Sequence, residues 1–216
     1  MIYNLGENNS MISDVIAEIR DVKIQQDRER FRRNVEKVGM YIGFELSKTL
    51  AYKEVEVETS LGIAKCNKLV EQPVITSILR AGLPLHNGLL EVFGNADSAF
   101  VSAYRKHHKS GDFTIKLEYV TCPDLTDRIV IIVDPMIATG ASIVLTMNEM
   151  FKYGDPKEIH VVSVISSTQG IEYMQSHASE VRLWTAAIDD ELTAKGYIVP
   201  GLGDAGDLAY GGKKQV

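Results

Sequence analysis

The residues with the densest chemical potential are Asp134, Pro135, Met136, Ile137, Ala138, Thr139, Gly140, Ala141 and Ser142. An unbroken β-branched run, Ile129, Val130, Ile131, Ile132 and Val133, leads into them, and Ile143, Val144, Met147, Met150 and Phe151 follow at helical spacing. A strand that feeds a small-residue loop and then a helix turns several backbone N–H groups toward one point, where the helix dipole also favours negative charge. A phosphate fits such a nest. Asp134, leaving the strand's carboxyl end beside it, could face sugar hydroxyls or a metal-bound ligand. The same composition also suits an ordinary βα turn, where small residues and an Asp are common. The loop has neither the Gly-Lys-Ser/Thr of a Walker A motif nor the Gly-x-Gly-x-x-Gly of a dinucleotide fingerprint.

Arg80 follows the strand-like run Val74, Ile75, Thr76, Ser77, Ile78 and Leu79, with Ala81 and Gly82 making a turn after it. In open α/β sheets ligands bind at the carboxyl ends of strands, so an Arg there is an anion contact in waiting. Residues 98–104 form another such run, which ends in Arg105. The third unusual stretch is the tail Tyr197, Ile198, Val199, Pro200, Gly201, Leu202, Gly203, Asp204, Ala205, Gly206 and Asp207. Its glycines suit a flexible loop. Its apolar entry and stiffening Pro200 suit instead a loop held near the core, with exposed amides able to read a flat polar ring.

The elements that must position these residues are legible as a βα succession. The β-branched run at 129–133, without alternation, predicts a strand buried on both faces, as in a parallel sheet covered by helices. Pro135 should break its ladder and Ser142 should cap the next helix. Helices are expected over 83–93 and, capped by Thr168, to His177; further strands over 159–165 and 181–187. Right-handed crossovers in a mostly parallel sheet follow. Asp27 should cap a helix with Phe31, Val35, Val38, Ile42 and Leu46 on its buried stripe, leaving Arg28, Arg30, Arg32, Arg33 and Lys37 as a solvated face. Alternation over 54–59 predicts a half-exposed hairpin arm, and over 113–117 one arm of a flap. His107 and His108, being adjacent, would face opposite ways on a strand and not grip one metal.

The 216 residues carry a net charge of −6, with 45% hydrophobic and 24% charged residues. That length suits one domain, and no apolar run approaches the roughly 18 residues a membrane helix needs. The acidic balance speaks against nucleic acid as the main partner, since phosphate neutralisation needs a clustered basic surface. Cys66 and Cys122 lack metal spacing and suit free thiols in a reducing compartment. With no signal-peptide pattern at Met1 to Gly6, a cytoplasmic protein is expected; a homo-oligomer of two or more copies is a separate expectation.

From about Arg30 onward the chain resembles the uracil phosphoribosyltransferases of the type I phosphoribosyltransferase fold. The resemblance rests on Arg30-Phe31-Arg32, Ile78-Leu79-Arg80-Ala81-Gly82, Tyr104-Arg105, Asp134 to Ser142, and Gly196 to Asp207, the last highly specific. It implies an α/β fold with a mostly parallel central sheet and helices on both faces, in one domain of residues 1–216. An N-terminal arm (1–27), a flap (105–120) and a C-terminal base-binding segment (187–216) complete that expectation. The residues Asp134, Pro135, Met136, Ile137, Ala138, Thr139, Gly140, Ala141 and Ser142 would then hold the ribose 5-phosphate part of phosphoribosyl pyrophosphate. Arg80 and Arg105 would meet the pyrophosphate, and Ile198, Gly203, Asp204 and Ala205 would bind uracil. Asp204 would also face the donor through Mg2+ carried on it, so that Arg80, Arg105 and Asp204 form the catalytic set. The implied reaction gives UMP and pyrophosphate. Three departures from the family's wording stand out: Lys106 to Gly111 in the flap, Ala141 where many members have Gly, and the segment before Arg28. An RNA-binding regulator on the same fold is one competing reading, against which the acidic balance and intact tail speak; a uracil or nucleotide sensor that keeps the pocket but loses catalysis through its altered flap is another.

Overall fold

The computed structural model describes residues 1–107 and 113–213, and of residues 103–107 and 113–117 the backbone alone. In chain order the first elements are β1 (Ile2–Asn4), α1 (Met11–Arg20), α2 (Arg28–Ser47), β2 (Tyr52–Thr59), β3 (Gly62–Leu69), β4 (Val74–Leu79), α3 (Leu83–Val92), β5 (Asp97–His107) and β6 (Phe113–Thr121). Then come β7 (Ile129–Val133), β8 (Met136–Ile137), α4 (Ala141–Met150), β9 (Glu158–Ser163), β10 (Ile165–Ser167), α5 (Thr168–His177), β11 (Arg182–Thr185), β12 (Ile188–Asp189), β13 (Glu191–Leu192), β14 (Ile198–Val199) and α6 (Ala205–Tyr210).

Every residue of β7 is buried, as its β-branched run requires of a strand covered on both faces. It lies near the middle of a sheet of order β1-β11-β9-β7-β4-β5-β6 among the described residues. Its neighbours β4 and β9 pair with it in parallel, and only the β5–β6 pair within this sheet is antiparallel. Alternate side chains divide between the two faces. Ile75, Ile131, Val133 and Val162 pack with α1, α2 and α3 through Ile19, Val35, Ile42 and Leu85. Val74, Val130, Ile132 and Val161 pack with α4 and α5 through Ile143, Met147, Ile171 and Met174. Burying each such side chain contributes about 1.5–3 kcal/mol.

Helix α2 begins as expected, with Asp27 Oδ1 accepting from the Arg30 amide, and its whole predicted stripe is buried. It lies against α3 through glycines: a Cβ on Gly88 would come 2.0 Å from the Glu36 carbonyl oxygen, and one on Gly39 2.5 Å from that of Leu85. Residues 1–27 carry more order than their patterning indicated. The Ser10 side chain caps α1, and β1 adds to the sheet edge parallel to β11, with Tyr3 stacked on Trp184 at 3.8 Å. The hairpin β2–β3 forms a separate, mostly exposed ribbon.

The strand predicted over 159–165 is in fact two, β9 and β10, because the chain shifts sideways at Val164. Pro135 causes the matching break after β7: lacking an N–H, it cannot extend the ladder, while its carbonyl accepts the amides of both Val164 and Ile165 at 3.1 Å. Beyond this step β8, β10 and β12 form a small parallel sheet of their own, continuing past the carboxyl ends of β7, β9 and β11. Two helix starts also differ from expectation. Gly140, at φ +74°, precedes α4 with no side-chain cap, so Ser142 lies inside the first turn. Ser167, not Thr168, caps α5, its Oγ accepting from the Gly170 amide.

Candidate active site

Asp134 donates its backbone N–H to the Val162 carbonyl, and its Oδ1 accepts from the Met136 amide at 3.3 Å. The loop beyond it is backed by the start of α5. Ser167 Oγ donates to the Ala138 carbonyl at 2.5 Å, and a Cβ on Gly170 would come 2.4 Å from that same oxygen. Gly140 is equally constrained: a Cβ there would lie 2.5 Å from the Gly170 carbonyl oxygen. The positive φ at Gly140 aims the chain into α4, whose first-turn amides have no intrahelical acceptor and gather where the dipole favours an anion. Ala141 has no positive φ, since Asp127 alone among the described non-glycine residues does. Its replacement of Gly therefore leaves the amide in place.

Arg80 stands at the carboxyl end of β4, after a cis Leu79–Arg80 peptide. Gly82 brings this turn against the end of β7, because a Cβ there would come 2.8 Å from the Val133 carbonyl oxygen. The Arg80 turn and the Asp134 loop are thus adjacent. Arg80 Nη2 donates to Asp207 Oδ1 at 2.9 Å and to the Gly211 carbonyl at 2.6 Å, which brings the tail to the same edge. Arg105 has its backbone on β5 opposite Ile115, while its side chain lies outside the described residues. The flap expected around Lys106 to Asp112 falls outside them too, apart from the backbone of Lys106 and His107.

The tail is built as a held loop rather than a flexible one. Strands β13 and β14 form a short hairpin that buries Ile198, followed by a cis Val199–Pro200 peptide. Gly201 and Gly203 adopt φ of +63° and +98°, conformations that favour glycine. Leu202 and Ala205 are buried, and Asp204 caps α6 by accepting the Asp207 amide at 3.0 Å. Its other oxygen lies 3.4 Å from Lys213 Nζ.

Several residues that hold the tail were not singled out by their spacing. Arg32, expected on a solvated face, donates to the Ala209 carbonyl at 2.6 Å and lies 5.9 Å above the Tyr210 ring. Burial pushes the Tyr210 hydroxyl's pKa up, while the nearby Arg32 and Arg80 charges oppose it. Asp189, at the end of β12, accepts from both Arg20 and the Gly201 amide. The sequence carries a signal for this role: Asp189 leaves a strand's carboxyl end, as Asp134 does. Arg30 and Arg33 do face outward, paired with Glu18 and Glu29.

The small-residue loop that opens α4, an Arg at the neighbouring strand's carboxyl end and a glycine-rich tail reaching that Arg share one edge of the sheet. A family model described as uracil phosphoribosyltransferase matches residues 7–212. The chain belongs to that family. It is 46% identical over 213 residues to the uracil phosphoribosyltransferase of Porphyromonas gingivalis, a match covering 98% of this chain and 99% of that one. Among solved structures it is similar to the AQ2163 protein from Aquifex aeolicus, with a TM-score of 0.87, 31% identity and 98% of each chain covered. The adenine phosphoribosyltransferase of Trypanosoma brucei, in complex with AMP, pyrophosphate and ribose-5-phosphate, shares the fold at a TM-score of 0.56 and 11% identity over 90% of this chain and 87% of that one. The architecture is accordingly the type I phosphoribosyltransferase fold, and membership of the uracil family makes the chain an enzyme of phosphoribosyl transfer.

Proposed function

We propose that this edge transfers the 5-phosphoribosyl group of phosphoribosyl pyrophosphate to uracil N1, giving UMP and pyrophosphate. The observation that carries the division of labour is the contact of Arg80 with Asp207 and Gly211, which brings a cationic strand end against the glycine tail. In this reading Asp134 faces the ribose, and the backbone from Pro135 through Met136, Ile137, Ala138, Thr139, Gly140 and Ala141 to Ser142 cradles the 5-phosphate. Ile198 and Gly203 to Ala205 read the base.

Cleavage of the bond to pyrophosphate leaves an oxocarbenium-like sugar and a polyanion. Arg80 and Arg105 stabilise that polyanion most as its charge grows, which lowers the barrier rather than merely tightening substrate binding. Among the described residues no cluster of three or more His, Cys, Asp or Glu side chains could hold a metal by itself. The half-buried carboxylate of Asp204, with Lys213 only loosely placed on it, fits a magnesium ion that arrives on the substrate's phosphates. When bound, that ion supplies further charge neutralisation at the departing group.

Free Cys66 and Cys122 suit a cytoplasmic setting, and a homo-oligomer of two or more copies belongs to the same proposal; sedimentation velocity reads the latter. The decisive test of the reaction is the purified chain with radiolabelled uracil, phosphoribosyl pyrophosphate and magnesium. Labelled UMP in step with pyrophosphate is expected. Failure to form UMP overturns the proposal.

A further inference from the structure

Gly201 is gripped by both of its backbone polar groups. Its N–H donates to Asp189 Oδ2 at 2.8 Å, and its carbonyl accepts from Arg20 Nη1 at 3.0 Å. Arg20 closes the ring, with Nη1 on Oδ2 and Nη2 on Oδ1 of Asp189, each at 2.8 Å. The last residue of α1, the end of β12 and the tail are thereby joined through one glycine. The Asp189 side chain is 6% exposed, so loss of Arg20 would leave a buried carboxylate without its balancing charge. Burial works to raise the Asp189 pKa, but Arg20 and the Gly201 amide outweigh it and hold it below the usual value.

The grip is transmitted directly to the proposed base-reading groups. A Cβ on Gly201 would lie 2.1 Å from the Ile198 carbonyl oxygen, so the turn from Ile198 to Gly201 is closed tightly around the gripped residue. Gly203, Asp204 and Ala205 follow immediately. The donor loop has a different support, since Ala138 and Gly140 rest on Ser167 and Gly170.

We propose that Arg20, acting through Asp189 and Gly201, is a positioning residue for base recognition that sets Ile198 and the 203–205 turn at their working separation. The inference rests on the proposed assignment of the base to those groups. Displaced by even an ångström, fixed amide and carbonyl partners lose a planar ligand that cannot follow them.

The test compares the full-length parent with Arg20→Met, which keeps the aliphatic stem, and with Arg20→Lys, which keeps the charge. Two readouts are taken: amide hydrogen exchange over 201–205, and calorimetric affinities for uracil and for phosphoribosyl pyrophosphate. In Arg20→Met, exchange at Gly201 and Gly203 should quicken at least tenfold while β7 stays protected. Uracil should bind roughly tenfold more weakly, with donor affinity changed less than twofold. Arg20→Lys should recover part of both effects. Unchanged exchange at Gly201, or equal losses for the two ligands, overturns the proposal. Should the parent bind no uracil, the base assignment falls and with it the recognition role of Arg20, while quickened exchange would still establish the grip on Gly201. An Arg20→Met chain that does not fold, with Arg20→Lys folded and unaltered in base affinity, also counts against it.

Discussion

Arg80 Nη2 lies 2.9 Å from Asp207 Oδ1, so the cation proposed to meet pyrophosphate is held by a carboxylate of the tail. The two side chains are 36% and 40% exposed, and an ion pair so open to water is worth only about 0–1 kcal/mol. A polyphosphate can therefore displace Asp207 at little cost. Asp207→Asn should change the KM for phosphoribosyl pyrophosphate by less than about fivefold. Arg80→Ala removes charge-assisted contacts worth about 1.5–3 kcal/mol and should lower kcat/KM tenfold or more. Steady-state kinetics of both variants decide the matter: an Asp207→Asn loss as large as that of Arg80→Ala would assign the carboxylate a direct role.

The close approach of α2 and α3 yields a prediction about stability alone. Gly88→Ala would set a methyl 2.0 Å from the Glu36 carbonyl oxygen, a backbone atom that moves only with its helix. Such overpacking costs on the order of 1–3 kcal/mol. Urea unfolding should show the loss, with kcat close to the parent's in the folded fraction.

These cases show why some of the molecule was legible in its residues and some was not. The β7 strand could be read because a covered parallel strand needs an unbroken apolar run, a local requirement written into Ile129 to Val133. The helix starts lie one or two positions before the expected caps at Ser142 and Thr168, because they rest on a positive φ at Gly140 and on which of two adjacent hydroxyls turns inward. Strand β1 is three residues long, too short to carry a period, and exists because β11 offers it an edge. Arg32 looked like a surface charge because its partner, the Ala209 carbonyl, lies 177 positions away in the chain. The proposed phosphate loop and tail were visible as unusual compositions, whereas the arginines that tether the tail acquire meaning only from packing.

His160 should make stability depend on pH near neutrality. It is buried, its Nδ1 accepts from Trp184 Nε1 at 3.0 Å, and its Nε2 therefore carries the proton toward Glu158 Oε1 at 2.7 Å. Burial lowers its pKa below 6.5; Glu158 opposes the shift and Arg182, itself paired with Glu158, reinforces it. With the folded value depressed, the unfolded chain binds the extra proton first, so stability is full above about pH 6.5 and falls as pH drops below it. The slope from this one group is at most about 1.4 kcal/mol per pH unit. Urea titrations at pH 7.5 and 5.5 should show the decline, and His160→Gln should flatten it; an equal decline in the variant would place its source elsewhere. Asp189, whose pKa is lowered from 3.8, acts only in a more acidic window.

Ala141 offers a negative control. Because it lacks positive φ and keeps its N–H, Ala141→Gly should leave donor affinity within about twofold and slightly destabilise the start of α4 through backbone entropy. A large gain in donor affinity would mean that the methyl obstructs the phosphate.

Selectivity for uracil should reside in the tail, where the backbone at Ile198 and from Gly203 to Ala205 is proposed to match the base's carbonyl and imide pattern. Cytosine exchanges an acceptor and a donor for an amine and a bare ring nitrogen, so rigid backbone partners would face like groups. A polar-lined site rejects ligands that leave its buried groups unpaired, and strongly so. Gly203 tests this without crowding the site, since among the described residues a Cβ there meets only Leu208 Cδ1 at 3.8 Å. The obstacle is the backbone: at φ +98° a β-branched residue is strained, and Gly203→Val must shift the turn to relieve it. Uracil binding should fall by tenfold or more while phosphoribosyl pyrophosphate, proposed to be held chiefly from Asp134 to Ser142, still binds. Calorimetric titration of both ligands against parent and variant makes the comparison. Unchanged uracil affinity in Gly203→Val, or cytosine competing equally in the parent, would mean that the base is read elsewhere than in this turn.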